Sequence, residues 1–201
     1  MNPFFPEQFA LFCKKNIKIT TTNSQYQSLP ICIIDCVYSL RTKYNSVTVP
    51  IVHRYAAKYL ESDIRNPDDT ISTFIDHLNT IGLRRFADEI VCNHQVLGGK
   101  AKIPKEQVCL TVATYLKCLN IETLEDFRNY SYPELLEIVL GGVKGLGDAG
   151  VNYLFMLAGD ENRCKPDVHI HKSIKDACGC DVSNSECQQI YTEAVSILRA
   201  Y

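Results

Sequence analysis

Apolar residues recur at helical spacing along almost the whole chain, and that period leaves room for little except helices. Ile33, Ile34, Val37, Tyr38 and Leu40 form one such face, and Val108, Val112, Tyr115, Leu116 and Leu119 form another. Strict apolar/polar alternation, the mark of a half-buried strand, is rare. The punctuation agrees. Pro104 can open a helix after Lys102-Ile103, Thr123-Leu124-Glu125-Asp126 offers a cap, and Ser131-Tyr132-Pro133-Glu134 has the form of a capping box with proline in the first turn. About ten helices are expected. Asn66-Pro67-Asp68-Asp69 and Val96-Leu97-Gly98-Gly99-Lys100 read as loops too short for interdomain linkers. Residues 1–201 are therefore expected to form a single all-α domain, in one or two lobes.

Composition narrows the class. With 46% hydrophobic and 22% charged residues, the 201-residue chain has enough apolar material for a core. The longest apolar run, Ile31 to Val37, is interrupted by Asp35 and falls short of the roughly 20 residues that span a bilayer, so no membrane partner is expected. The opening Met1-Asn2-Pro3-Phe4-Phe5-Pro6-Glu7 lacks the basic and apolar regions of a secretory signal, and a cytoplasmic location is expected. Ten cysteines are scattered, several inside apolar helical patterns, and in a reducing compartment they read as small buried hydrophobes. A formal charge of −2 is not that of a typical phosphate binder, yet Arg84, Arg85, Lys100, Lys102 and Lys105 lie within a short span and could supply a local basic cluster.

The most specific stretch runs from Leu140 to Leu154. Glycine at 145 and 147 lets the backbone turn tightly, and Leu146 between them can anchor the turn. A helix beginning near Gly147 would point unpaired N–H groups and the positive end of its dipole outward, where a phosphate can be held without a side-chain charge. A plain corner between two helices would use the same Gly-x-Gly. After Tyr153-Leu154-Phe155-Met156-Leu157 and the polar loop Gly159-Asp160-Glu161-Asn162-Arg163 comes Lys165-Pro166-Asp167-Val168-His169. Pro166 keeps the residue before it out of helical space, so Asp167 stands at the mouth of a new helix. Its carboxylate can cap that helix, do chemistry, or both.

Hairpin, helix, loop and aspartate together resemble the HhH-GPD superfamily of base-excision DNA glycosylases. The family's Leu-Pro-Gly-Val-Gly-x-Lys hairpin stands here as Val143-Lys144-Gly145-Leu146-Gly147-Asp148-Ala149, and its Val-Asp-x-His segment as Pro166-Asp167-Val168-His169. The eighteen residues from Ala149 to Asp167 fit the family spacing, and a weaker similarity extends over Ile33 to Leu60. The resemblance implies a two-lobed helical bundle with a helix-hairpin-helix at about 132–158. It implies double-stranded DNA as partner, held by Lys144, Gly145, Leu146, Gly147, Asp148 and Ala149, with a monovalent cation on the carbonyls of Gly141, Val143 and Leu146. Asp167 would be the catalytic carboxylate, stabilising the positive charge that develops on the sugar.

Departures from the family pattern refine this. Members that also cut the strand use a lysine as nucleophile where this chain has Ala149, so a base-removing enzyme without lyase activity is implied. Asp148 places a negative charge where the phosphate should bind. Cys164, Cys178, Cys180 and Cys187, with gaps of thirteen, one and six residues, do not match the family's iron-sulfur spacing, and Cys-x-Cys is a poor zinc knuckle, so no cofactor and no side-chain metal are expected. Tyr38, Arg41, Tyr44 and Tyr153 are candidates for the base pocket. A monomer is expected. The competing readings are a helix-hairpin-helix DNA-binding protein without catalysis and a helical interaction protein without a nucleic-acid role.

Overall fold

The computed structural model describes residues 2–17 and 26–200. The chain divides into two compact units, Gln25–Gly159 and the combination of Met1–Ser24 with Asp160–Tyr201. Among the described residues there are eleven α-helices and one two-stranded sheet.

The larger unit is built round α2 (Leu29–Ser39), all of whose residues are buried. A helix apolar on every side must be enclosed on every side, and α3 (Val49–Tyr59), α6 (Lys105–Cys118) and α9 (Gly147–Leu157) pack on it. Ile31, Ile33 and Ile34 are each fully removed from solvent, a gain of roughly 1.5–3 kcal/mol per side chain. Ser28 starts the helix by accepting the Ile31 N–H at 3.0 Å, and Pro30 lies in the first turn, where no intrahelical N–H is needed. α4 (Ile71–Ile81) lies along α6, and the single turn α5 (Leu83–Arg85) leads into a π-helical turn, Phe86–Val91. Arg54 donates to the Ile90 carbonyl at 3.1 Å and to that of Val91, satisfying acceptors that the irregular turn leaves open. The short helices α7 (Leu124–Arg128) and α8 (Pro133–Gly141) precede α9.

Two local expectations change. Residues 96–100 are not wholly loop, because β1 (Val96–Leu97) pairs antiparallel with β2 (Ile103–Pro104), Leu97 opposite Ile103. Ser131 does not cap α8. Pro133 forces the residue before it out of helical space, so Tyr132 takes the N-cap position and the Ser131/Glu134 pair falls out of register for a capping box. At α7 the box forms as expected, with the Thr123 hydroxyl accepting from Asp126 N at 3.1 Å and the Asp126 carboxylate accepting from Thr123 N at 2.9 Å.

Asp69, only 3% exposed, joins the start of α2 to α3. Its Oδ2 accepts the Ser28 hydroxyl at 2.7 Å and its Oδ1 the Tyr55 hydroxyl at 3.1 Å. Burial outweighs these donors and pushes the carboxyl up to about 6.

The smaller unit contains α1 (Phe5–Asn16), α10 (Val168–Cys178) and α11 (Asn184–Arg199), closed over Phe9, Ala10, Cys164, Ile174, Cys187, Ile190 and Ala194. Ser183 and Glu186 form a capping box at the start of α11, and Gly179, at φ +75°, ends α10 in the left-handed conformation that glycine adopts most readily. All ten cysteines are free thiols, and Cys32, Cys36, Cys109, Cys164 and Cys187 are buried. No described helix is long and apolar enough to cross a membrane.

Candidate functional site

Between α8 and α9 the chain turns through Gly142 to Leu146. Val143 N donates to Leu140 O at 3.0 Å and Leu146 N to Val143 O at 3.1 Å, and the side chains of Val143 and Leu146 are both buried, so the turn is pinned from inside. Gly145 and Gly147 both have positive φ, +99° and +65°, but they serve different ends. A Cβ on Gly145 would lie 3.1 Å from Leu97 Cβ and 3.2 Å from Val108 Cγ2, so this glycine lets the turn press against β1 and α6. A Cβ on Gly147 would meet nothing within 4 Å. There the conformation alone requires glycine, and open space lies in front of it. Among the described residues, the N–H groups of Gly147, Asp148 and Ala149 have no backbone acceptor, and Lys144, Gly147 and Asp148 are exposed. The start of α9 thus offers an anion free amides and a helix dipole, with Asp148 opposing and Lys144 assisting.

Asp167 belongs to the smaller unit. It is the N-cap of α10, half-buried behind the buried Pro166, and its Oδ1 accepts the N–H groups of His169 at 2.9 Å and Ile170 at 3.3 Å. Both capping bonds fall on one oxygen, leaving Oδ2 with lone pairs uncommitted to the cap. The hairpin and Asp167 lie in different units, each with its own packing.

The basic cluster expected from sequence is largely spoken for. Arg85 makes a two-point contact with Glu89, at 2.7 and 3.2 Å, and the exposed Arg84 lies 3.9 Å from Asp88. Lys105 is 1% exposed, and its Nζ donates to the carbonyls of Tyr38 at 3.1 Å and Leu40 at 2.9 Å and to Gln95 Oε1 at 3.1 Å. It is no phosphate ligand, because the end of α2 presents carbonyls without intrahelical donors and this ammonium satisfies them. Lys100 and Lys102 remain exposed on the β1–β2 loop, and Leu97 of β1 lies where a Cβ on Gly145 would meet it.

The four pocket candidates separate. Tyr38 is fully buried, with its ring 5.6 Å from Lys105 Nζ and its hydroxyl without a hydrogen-bond partner among the described residues. Arg41 is exposed just past α2 in a left-handed conformation, φ +58°, which non-glycine residues seldom adopt. Tyr44 and Tyr153 come together on a residue that sequence reasoning passed over. Asp35, fully buried in the middle of α2, accepts the hydroxyls of Tyr44 at 2.7 Å and Tyr26 at 2.8 Å on Oδ2 and that of Tyr153 at 2.8 Å on Oδ1. Burial, reinforced by Asp35, pushes the Tyr44 hydroxyl up to about 12 and those of Tyr26 and Tyr153 well above the usual phenol range, so all three stay protonated donors. The only sequence signal was an acidic residue inside an apolar run, read as an interruption.

Among the described residues, no group of three or more His, Cys, Asp and Glu side chains is arranged to hold a metal ion. A family model described as a domain of unknown function (DUF8548) matches residues 8–201. No curated protein and no solved structure matches the chain.

Proposed function

We propose that this chain, which belongs to the DUF8548 family, is a monofunctional DNA glycosylase-like protein that removes a damaged or mispaired base from double-stranded DNA. The observation that carries the reading is Asp167, a carboxylate fixed at a helix start with its capping bonds on Oδ1 alone. Breaking an N-glycosidic bond develops positive charge on the deoxyribose. A carboxylate held rigid beside that sugar lowers the barrier electrostatically, and its second oxygen can take a proton from the attacking water. The hairpin supplies sequence-independent grip on the backbone through the amides at the start of α9, and the carbonyls of Gly141, Val143 and Leu146 would hold a monovalent cation, which would supply positive charge to offset the charge of a phosphate. Ala149 has no amine to attack the sugar, so the product is an abasic site with the strand intact.

Duplexes carrying different base lesions, incubated with the protein and then treated with alkali, test this directly. Alkali-dependent breaks at one lesion, abolished in Asp167→Asn, are expected, and that variant should stay folded because asparagine caps helices about as well as aspartate. Absence of breaks at every lesion, or undiminished breaks with Asp167→Asn, would sink the enzyme reading. The second reading, a hairpin protein that binds DNA without turnover, is favoured by the exposed Asp148 and by the commitment of Arg85 and Lys105 to internal partners. It predicts weak, salt-sensitive binding and no base release.

A further inference from the structure

Asp35 is the single acidic residue of α2, and it occupies a position where an apolar side chain would pack without desolvating a charge. A carboxylate presents about four lone-pair sites. Tyr26 and Tyr44 fill the two on Oδ2 and Tyr153 fills one on Oδ1, which leaves one open among the described residues. The three donors are not held alike. Tyr153 is 6% exposed and Tyr26 half-buried, whereas Tyr44 is 39% exposed and begins the π-helical turn Tyr44–Thr48, an irregularity of a kind frequent at functional sites. Tyr44 is therefore the replaceable donor. Its departure frees a site on Oδ2 to go with the open one on Oδ1, the pairing that accepts two parallel N–H bonds. The cluster is also tied to the hairpin, since Tyr153 follows Gly147 on the same helix by six residues, roughly 9 Å along the axis.

We propose that Asp35 reads a nucleobase, accepting two adjacent N–H donors of a guanine-type edge, the ring N1–H and the exocyclic amine, in place of the Tyr44 hydroxyl. The ligand class rests on the base-excision reading above. The chemistry selects within it. The edges of adenine and thymine each bring an acceptor against the carboxylate, which repels them, whereas the guanine edge brings donors to both oxygens.

Equilibrium dialysis of the full chain against guanosine and against 1-methylguanosine, which lacks the N1 proton, tests the assignment without DNA and without bond cleavage. The wild type should prefer guanosine by roughly tenfold or more, the effect of one lost hydrogen bond to a charged acceptor. Tyr44→Phe, which removes the competing hydroxyl from a partly exposed position, should bind guanosine several-fold more tightly, and Asp35→Asn should erase the preference. A purely structural network predicts no gain from Tyr44→Phe, and that variant decides the matter if Asp35→Asn does not fold. Equal binding of the two nucleosides, or no gain in Tyr44→Phe, overturns the proposal. A chain that discriminates nucleosides but releases no base keeps this site and loses the enzyme. One that releases a base without discriminating loses this site alone.

Discussion

Replacing Asp69 by asparagine should change how stability depends on pH, by an amount that follows from its surroundings. The carboxyl stands at about 6 in the folded protein against an ordinary 3.8, because burial disfavours its charge more than Ser28, Tyr55 and Thr73 stabilise it. Between those values the folded chain holds a proton that the unfolded chain has released. Folding then takes up a proton, and unfolding free energy falls as pH rises. The stabilisation is whole below about pH 4 and gone above about pH 6, and a gap of about two units corresponds to ~3 kcal/mol. Asp69→Asn removes the ionisation while keeping a side chain of the same shape. Urea melts of both proteins at pH 4, 5, 6 and 7, compared as differences so that other titrating groups cancel, should show the variant gaining ~3 kcal/mol on the wild type from pH 4 to pH 7. A difference that stays constant across that range would refute the placement of Asp69 as a buried, desolvated carboxyl.

Lys105→Met should destabilise the larger unit by ~3 kcal/mol in the same melts, since three oxygens lose one buried ammonium donor. Gly150→Ala would bring a Cβ within 2.8 Å of Leu146 Cδ1 and should lose about 1–3 kcal/mol to overpacking. Gly147→Ala faces open space and should lose only ~1 kcal/mol to its left-handed backbone, while weakening DNA binding more than its stability loss explains. Removing Lys100 and Lys102 together should flatten the salt dependence of DNA binding by about two in log–log slope if both contact phosphate, and an unchanged slope would exclude the β1–β2 loop from the interface.

Helix positions set by local chemistry could be read directly from sequence. Pro166 followed by Asp167, the glycines before α9, and Thr123 with Asp126 each act within a few residues, and each starts its helix where expected. Ser131 misled because two local signals competed and the steric demand of Pro133 on Tyr132 prevailed over a hydrogen-bonding pattern. The Asp35 cluster was beyond reach for a different reason. Its donors stand at 26, 44 and 153, and only the packing of α9 on α2 brings the last of them to the carboxylate. Tyr44 and Tyr153 were suspected as aromatics, but nothing in their spacing linked them to Asp35 or to Tyr26. Lys105 is the converse case. Beside Lys100 and Lys102 it reads as part of a basic patch, and its burial follows from the unpaired carbonyls at the end of α2, sixty-odd residues earlier in the chain.

The make-up of the smaller unit bears on when it can fold during synthesis. α1 buries Phe9 and Ala10 among residues that include Cys187, Ile190 and Ala194 of α11, and these α11 partners leave the ribosome more than 160 residues after it does. At translation speeds of roughly 5–20 residues per second, that apolar face waits on the order of 10 s or longer uncovered, while every residue of Gln25–Gly159 emerges in between. The apolar face of α1 thus stays uncovered until α11 has been made, and the smaller unit cannot close before then.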